Sequence, residues 1–142
     1  MGQLKTAFLF PGQGAQVVGM GAEIAQSFPV AAEIYEKANE LVGFDLRGLC
    51  FNGPAEQLNS TTISQPAIFV TSAAILEVLR TNPATSSINA NVTAGLSLGE
   101  YTALYAAGLI NFEDGLMLVH KRGKAMQAAA DATEGAMVDN RP

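Results

Sequence analysis

Ser97 stands at the centre of Gly95-Leu96-Ser97-Leu98-Gly99, with the apolar run Asn91-Val92-Thr93-Ala94 before it and Glu100-Tyr101 after it. Gly-x-Ser-x-Gly between a strand and a helix is the pattern of a nucleophile elbow. The serine occupies the sharp corner, and the flanking glycines admit neighbouring backbone that a Cβ would exclude. At the start of the following helix, unpaired N–H groups and the positive end of the dipole favour a developing negative charge. The Leu98 amide is therefore a natural oxyanion donor, and the chemistry this points to is nucleophilic attack by the Ser97 hydroxyl. The motif also arises by chance in glycine-rich chains. Its context, with Val92, Ala94 and Leu96 suited to a buried strand and Ala103, Leu104, Ala106 and Ala107 to a helix packed on a sheet, favours the catalytic reading.

Other residues with chemical potential are scattered along the chain. Gly12-Gln13-Gly14-Ala15-Gln16 follows a strand-like run, as a dinucleotide fingerprint would, but the third glycine position holds Val17. The alternative is a glycine-rich turn whose amides face a site, with the Gln13 N–H as a second oxyanion donor. Gln65, beside Pro66 at a helix start, is either a polar group pointed at the site or a cap. Lys121, Arg122 and Lys124 gather late in the last helical segment. As residues alone they suit a solvated basic face, while the functional reading makes Arg122 a fork for a substrate carboxylate. His120, the only histidine, lies in that same helix, so it is expected to be partly exposed and not to serve as the base that a serine nucleophile needs.

The elements that must hold these residues form an alternating α/β pattern. Lys5 to Phe10 reads as a buried parallel strand stopped by Pro11-Gly12. Gly21 to Val42 is helical and broken at Ser27-Phe28-Pro29, where Ser27 can cap a second helix; Ile24, Val30, Ile34, Tyr35, Ala38 and Leu41 supply the buried stripe. A short amphipathic piece carries Leu46, Leu49 and Cys50, and Asn59 to Thr62 reads as a polar loop. A long apolar helix then opens at Ile63-Ser64-Gln65-Pro66 and ends near Asn82-Pro83. After the elbow, Asn111 can cap a last helix with Glu113 and Asp114 in its first turn and Leu116, Val119, Ala125 and Met126 as its apolar face. Gly135 to Val138 is expected to begin another strand. Two strands among many helices are little sheet, so the sequence reads like the first part of a larger α/β protein.

The 142 residues, 49% of them hydrophobic and 15% charged, suit one globular unit, and a formal charge of −5 with scattered basic residues argues against nucleic-acid binding. Cys50 is the single cysteine, has no metal-ligand spacing around it and fits a reducing, cytoplasmic setting. No apolar run reads as a membrane span, and Leu4 to Phe10 is too short for a signal-peptide core. A myristoylation pattern at Met1-Gly2 and a sequon at Asn91 are both disfavoured because each runs straight into a strand.

Four motifs in order, Phe10-Pro11-Gly12-Gln13-Gly14-Ala15-Gln16, Gln65-Pro66, Gly95-Leu96-Ser97-Leu98-Gly99-Glu100-Tyr101 and Arg122-Gly123-Lys124-Ala125-Met126-Gln127, resemble those of malonyl-CoA:acyl carrier protein transacylases and related acyltransferase domains. The resemblance runs from Lys5 to Val138. It implies an α/β-hydrolase-like large subdomain, here residues 1–134, with a small ferredoxin-like subdomain beginning in residues 135–142. It further implies that Ser97 takes malonyl from coenzyme A and passes it to the phosphopantetheine thiol of acyl carrier protein, with no cofactor and no metal. In the family pattern the amides of Gln13 and Leu98 form the oxyanion hole, Arg122 pairs with the free malonyl carboxylate and Gln65 lines the site, which turns the reading of Arg122 from solvated face to fork. Two departures stand out. Leu96 occupies a position that is usually His, and the family's catalytic histidine lies beyond the last residue here. Three functions follow: a malonyl transferase with little turnover by itself, a serine esterase for which Arg122 would not matter, and a non-catalytic fragment that binds acyl-CoA or carrier protein. Apolar surface left uncovered is expected to promote self-association.

Overall fold

The computed structural model describes residues 5–133. Two strands, β1 (Ala7–Phe10) and β2 (Val92–Gly95), pair in parallel with Ala7 opposite Val92 and Phe10 opposite Gly95. Between them run α1 (Ala22–Ser27), α2 (Pro29–Val42), α3 (Leu46–Asn52), α4 (Ala55–Leu58) and α5 (Thr61–Thr81); after them come α6 (Gly99–Ala106) and α7 (Phe112–Asp131). The α/β reading holds. The strand expected at Gly135 to Val138, and with it the proposed boundary at 134/135, lies outside the described residues.

The core is built round α5. Ala67, Ile68, Phe69, Val70, Ala73, Ala74 and Leu76 are buried there, and α2, α3, α6 and α7 all pack on it. Among the apolar runs this helix corrects the sequence reading, because by length and composition it could cross a membrane. Its apolar circumference is instead occupied by neighbouring helices, as for a core helix. It also begins at Thr61, two residues before the expected start, so Thr61 and Thr62 are helical rather than loop. Pro66 is tolerated in the second turn, where its ring removes a single backbone bond. Tyr35 of α2 is fully buried beneath α5, its hydroxyl 2.7 Å from Thr71 Oγ1.

Local signals hold unevenly. Asn111 caps α7 through its side chain, which accepts from the Asp114 amide at 2.7 Å, as expected. Ser27 does not cap α2: it is the last residue of α1, and Phe28 takes the cap position without a side-chain bond. Asp45, by contrast, caps α3, accepting from the Gly48 amide at 2.8 Å, and this bond holds its carboxyl below the usual range.

The sheet departs most from expectation. Both strands were read as buried on two faces, yet burial alternates: Phe8, Phe10, Thr93 and Gly95 are half-buried, whereas Ala7, Leu9, Val92, Ala94 and the following Leu96 are exposed. Leu9 is 77%, Val92 59% and Leu96 79% exposed. The parallel register puts the exposed positions on one face, and none of the described elements covers it. On the covered side, α6 packs against both strands through Thr102 and Ala103 rather than Leu104, and Thr93 Oγ1 donates to the Ala103 carbonyl at 3.0 Å.

Candidate functional site

Ser97 is the one residue other than glycine with a positive φ, 55°, among the described residues. A side chain in the left-handed region is uncommon and costs roughly 1–3 kcal/mol, so the surrounding structure must hold it. That support is backbone against backbone. A Cβ on Gly12 would lie 2.8 Å from the Leu96 carbonyl oxygen, and one on Gly99 would overlap the Phe10 carbonyl oxygen. The loop after β1 and the start of α6 therefore touch the elbow from two sides with no room for side chains. Leu98, fully buried, anchors the corner from below, which leaves Ser97 exposed above it.

Arg122 reaches this serine from α7. Its Nη2 donates to Ser97 Oγ at 2.7 Å and its Nη1 donates to Gln65 Oε1 at 2.8 Å. Gln65 is fully buried in α5, and its Nε2 donates to Met126 Sδ at 3.2 Å. The ring of Tyr101 lies below the guanidinium, 5.9 Å from centroid to Cζ, at cation–π range. Close packing of α7 on α5 makes this possible. A Cβ on Gly123 would come within 2.8 Å of the Thr61 carbonyl oxygen, and one on Gly115 within 2.6 Å of the Phe69 ring. Glycine at these two positions, eight residues apart on one face of α7, lets the helices approach.

The second oxyanion candidate sits in the loop after β1. Among the hydrogen bonds of the described residues, neither the Gln13 nor the Leu98 N–H has an acceptor. The Gln13 side chain donates to Thr61 Oγ1 at 3.5 Å, while Gln16 accepts from the Gly14 amide at 2.8 Å and donates to Asn59 Oδ1 at 3.0 Å. These bonds tie the loop to the start of α5.

His120 is corrected from partly exposed to buried, at 6% exposure. Burial, with a smaller contribution from Lys124, lowers its pKa. Two residues along a helix turn through about 200°, so with Arg122 towards Ser97 the imidazole faces the other way, its ring 5.9 Å from that of Phe44. It is not brought to the serine, in line with the expectation that it is not the base. Cys50 is fully buried, and burial pushes its thiol up to about 12, the behaviour of a core residue. No cluster of three metal-ligating side chains occurs among the described residues.

Ser97, Gln65 and Arg122 thus converge from three separate elements. Chemically the arrangement offers a hydroxyl on a strained corner, the unpaired Leu98 amide next to it in the chain and a guanidinium whose two arms match a carboxylate. Arg122 donates to Ser97 and cannot take its proton. Sequence reasoning read Met126 only as part of the apolar face of the last helix, and gave Tyr101 no part in the site. For Met126 the available signal was spacing: it is four residues after Arg122 within α7, so the two share a helix face.

Residues 7–141 match the family described as acyl transferase domain. The malonyl CoA-acyl carrier protein transacylase of Bacillus subtilis (strain 168) is 47% identical over 133 residues, which is 94% of this chain and 41% of the relative. That of Escherichia coli (strain K12) is 45% identical over 131 residues, which is 92% of this chain and again 41% of the relative. Among solved structures, the malonyl CoA-acyl carrier protein transacylase of Clostridium perfringens superposes with a TM-score of 0.81 at 48% identity, covering 89% of this chain and 39% of that one. A malonyl-transacylase in complex with the acyl-carrier protein of a type II PKS gives 0.83 at 42% identity, covering 89% and 40%. The chain spans about two fifths of the length of these proteins.

Proposed function

Because the chain belongs to the acyl transferase domain family, we propose that it carries the acyl-enzyme half of a malonyl-CoA:acyl carrier protein transacylase. Ser97 Oγ attacks the malonyl thioester carbonyl, and the Gln13 and Leu98 amides hold the oxyanion. Coenzyme A leaves as its thiol, and the phosphopantetheine thiol of acyl carrier protein then takes the malonyl group from the serine ester. No cofactor enters these steps. The setting is fatty acid biosynthesis in the cytoplasm, with which the buried, unpaired Cys50 accords; a polyketide pathway uses the same chemistry.

The observation that carries this reading is Arg122 placed between Ser97 Oγ and Gln65 Oε1. A guanidinium beside the nucleophile suits an acyl group that ends in a carboxylate, and an esterase of neutral substrates has no use for it. A non-catalytic binding role is the second reading, favoured by the lack of any proton acceptor on Ser97 among the described residues; a general base contributes about a hundred- to ten-thousand-fold. The bare apolar face of the sheet supports self-association of the chain.

Intact mass after exposure to malonyl-CoA tests the proposal. A malonyl increment is expected on the wild type and not on Ser97→Ala, with Arg122→Gln slowing malonyl transfer while leaving acylation by a neutral activated ester nearly unchanged. An increment that survives Ser97→Ala, or an equal effect of Arg122→Gln on both acyl donors, would refute the assignment. A folded wild type that binds malonyl-CoA without any increment would select the binding role.

A further inference from the structure

We infer that Met126 is a positioning residue for Arg122, acting through the Gln65 amide; the inference rests on the proposed role of Arg122 as a carboxylate fork. Gln65 presents two chemically opposite ends, and the site works only with its oxygen turned to the guanidinium. Arg122 has five donors and no acceptor, so the reverse orientation would set Nε2 against Nη1. The other end of the amide then needs an acceptor, because Gln65 is fully buried and water does not reach it. Met126 Sδ, 3.2 Å from Nε2, is the acceptor the structure provides.

The linkage is compact. Arg122 and Met126 sit one turn apart on α7, and Gln65 bridges them from α5. Satisfying both ends of the amide fixes its plane, and that plane fixes the direction of Nη1. The second arm, Nη2, is then left aimed at Ser97. The Tyr101 ring under the guanidinium limits motion out of the plane. A side chain of the same size without an acceptor at position 126 would fill the space but leave a buried N–H unpaired, and Gln65 would turn to find another partner. Arg122 would lose its support, and a carboxylate would meet a guanidinium held at one end only.

Malonate titration of the 15N-labelled chain, followed by NMR, reads this without requiring turnover. Wild type is expected to bind malonate, and Arg122→Gln to lose the binding. Met126→Leu should weaken malonate by about three- to tenfold, the usual range for one buried hydrogen bond. Met126→Gln, whose carbonyl restores an acceptor, should return to within about twofold of wild type, a rescue that packing alone does not give. The Gln65 side-chain amide resonances should move in Met126→Leu even without malonate, while the remaining spectrum overlays. Unchanged malonate affinity in Met126→Leu, or equal weakening in Met126→Leu and Met126→Gln, would overturn the inference. If Arg122→Gln binds malonate as well as wild type, the carboxylate-fork reading fails. Gln65 resonances unmoved by Met126→Leu would instead dismiss the orienting bond itself.

Discussion

Gly99→Ala sets two effects of known size against each other. Gly99 is the first residue of α6, and alanine there gains up to about 1 kcal/mol from helix propensity and lower unfolded-state entropy. Against this, the new methyl would overlap the Phe10 carbonyl oxygen and lie 3.0 Å from the Pro11 oxygen. Both obstacles are backbone. Phe10 is fixed by its pairing with Gly95, so it cannot rotate aside as a flexible side chain would. Overpacking of this kind costs about 1–3 kcal/mol, and rigid backbone on both sides puts this case in the upper part, about 2–3 kcal/mol, so the clash wins and the net loss is about 1–2 kcal/mol. With a urea slope of about 2 kcal/mol/M, the middle of the usual range of about 1–3, the unfolding midpoint should fall by roughly 0.5–1 M. The relief of the clash displaces α6 from β1, and with it the Leu98 amide and the corner that holds Ser97. Serine acylation by an activated ester should therefore fall even in urea-free buffer where the variant is folded. A Gly99→Ala protein at least as stable as wild type, with the same slope, would show that propensity dominates and that the close approach does not constrain the elbow.

Two further outcomes follow from buried groups. His120 has its pKa lowered by burial and Lys124, so the unfolded chain binds a proton more readily than the folded one. Its contribution is fully present above the unfolded value of about 6.5 and is lost as pH falls towards the folded value. Urea midpoints between about pH 7 and pH 5.5 should drop more steeply for wild type than for His120→Leu, and parallel profiles would refute this. Cys50, its thiol pushed up to about 12, should resist a thiol reagent at about pH 8 in the native chain and react once per chain in denaturant. Native labelling at the rate of a free thiol would show that α3 opens readily.

The elbow was legible because everything that defines it is local: glycines at fixed offsets, a strand before and a helix after. The same holds for Asn111, whose cap needs only the residues of its own first turn. The sheet was not legible in the same way. An apolar run such as Lys5 to Phe10 reports how readily each residue leaves water, and carries no record of which neighbour covers it; here Phe8 and Phe10 are covered and Leu9 is not. His120 misled for a related reason, since a titratable residue on a helix with lysines looks solvated until the helix is rotated against its neighbours. Arg122 is the sharpest case. Within α7 alone, Lys121, Arg122 and Lys124 are a basic stretch on a mostly polar turn, and nothing there separates a fork from a solvated face. What separates them is the packing of α7 on α5 over Gly115 and Gly123, two positions where a Cβ would strike Phe69 or the Thr61 carbonyl. That approach sends Arg122 to Ser97 and Gln65 while Lys121 and Lys124 stay exposed. From residues alone the signal was two glycines at i and i+8 within an otherwise helical pattern. A glycine that costs about 1 kcal/mol in a helix interior calls for a close contact to offset it, and here that contact brings the arginine to the serine.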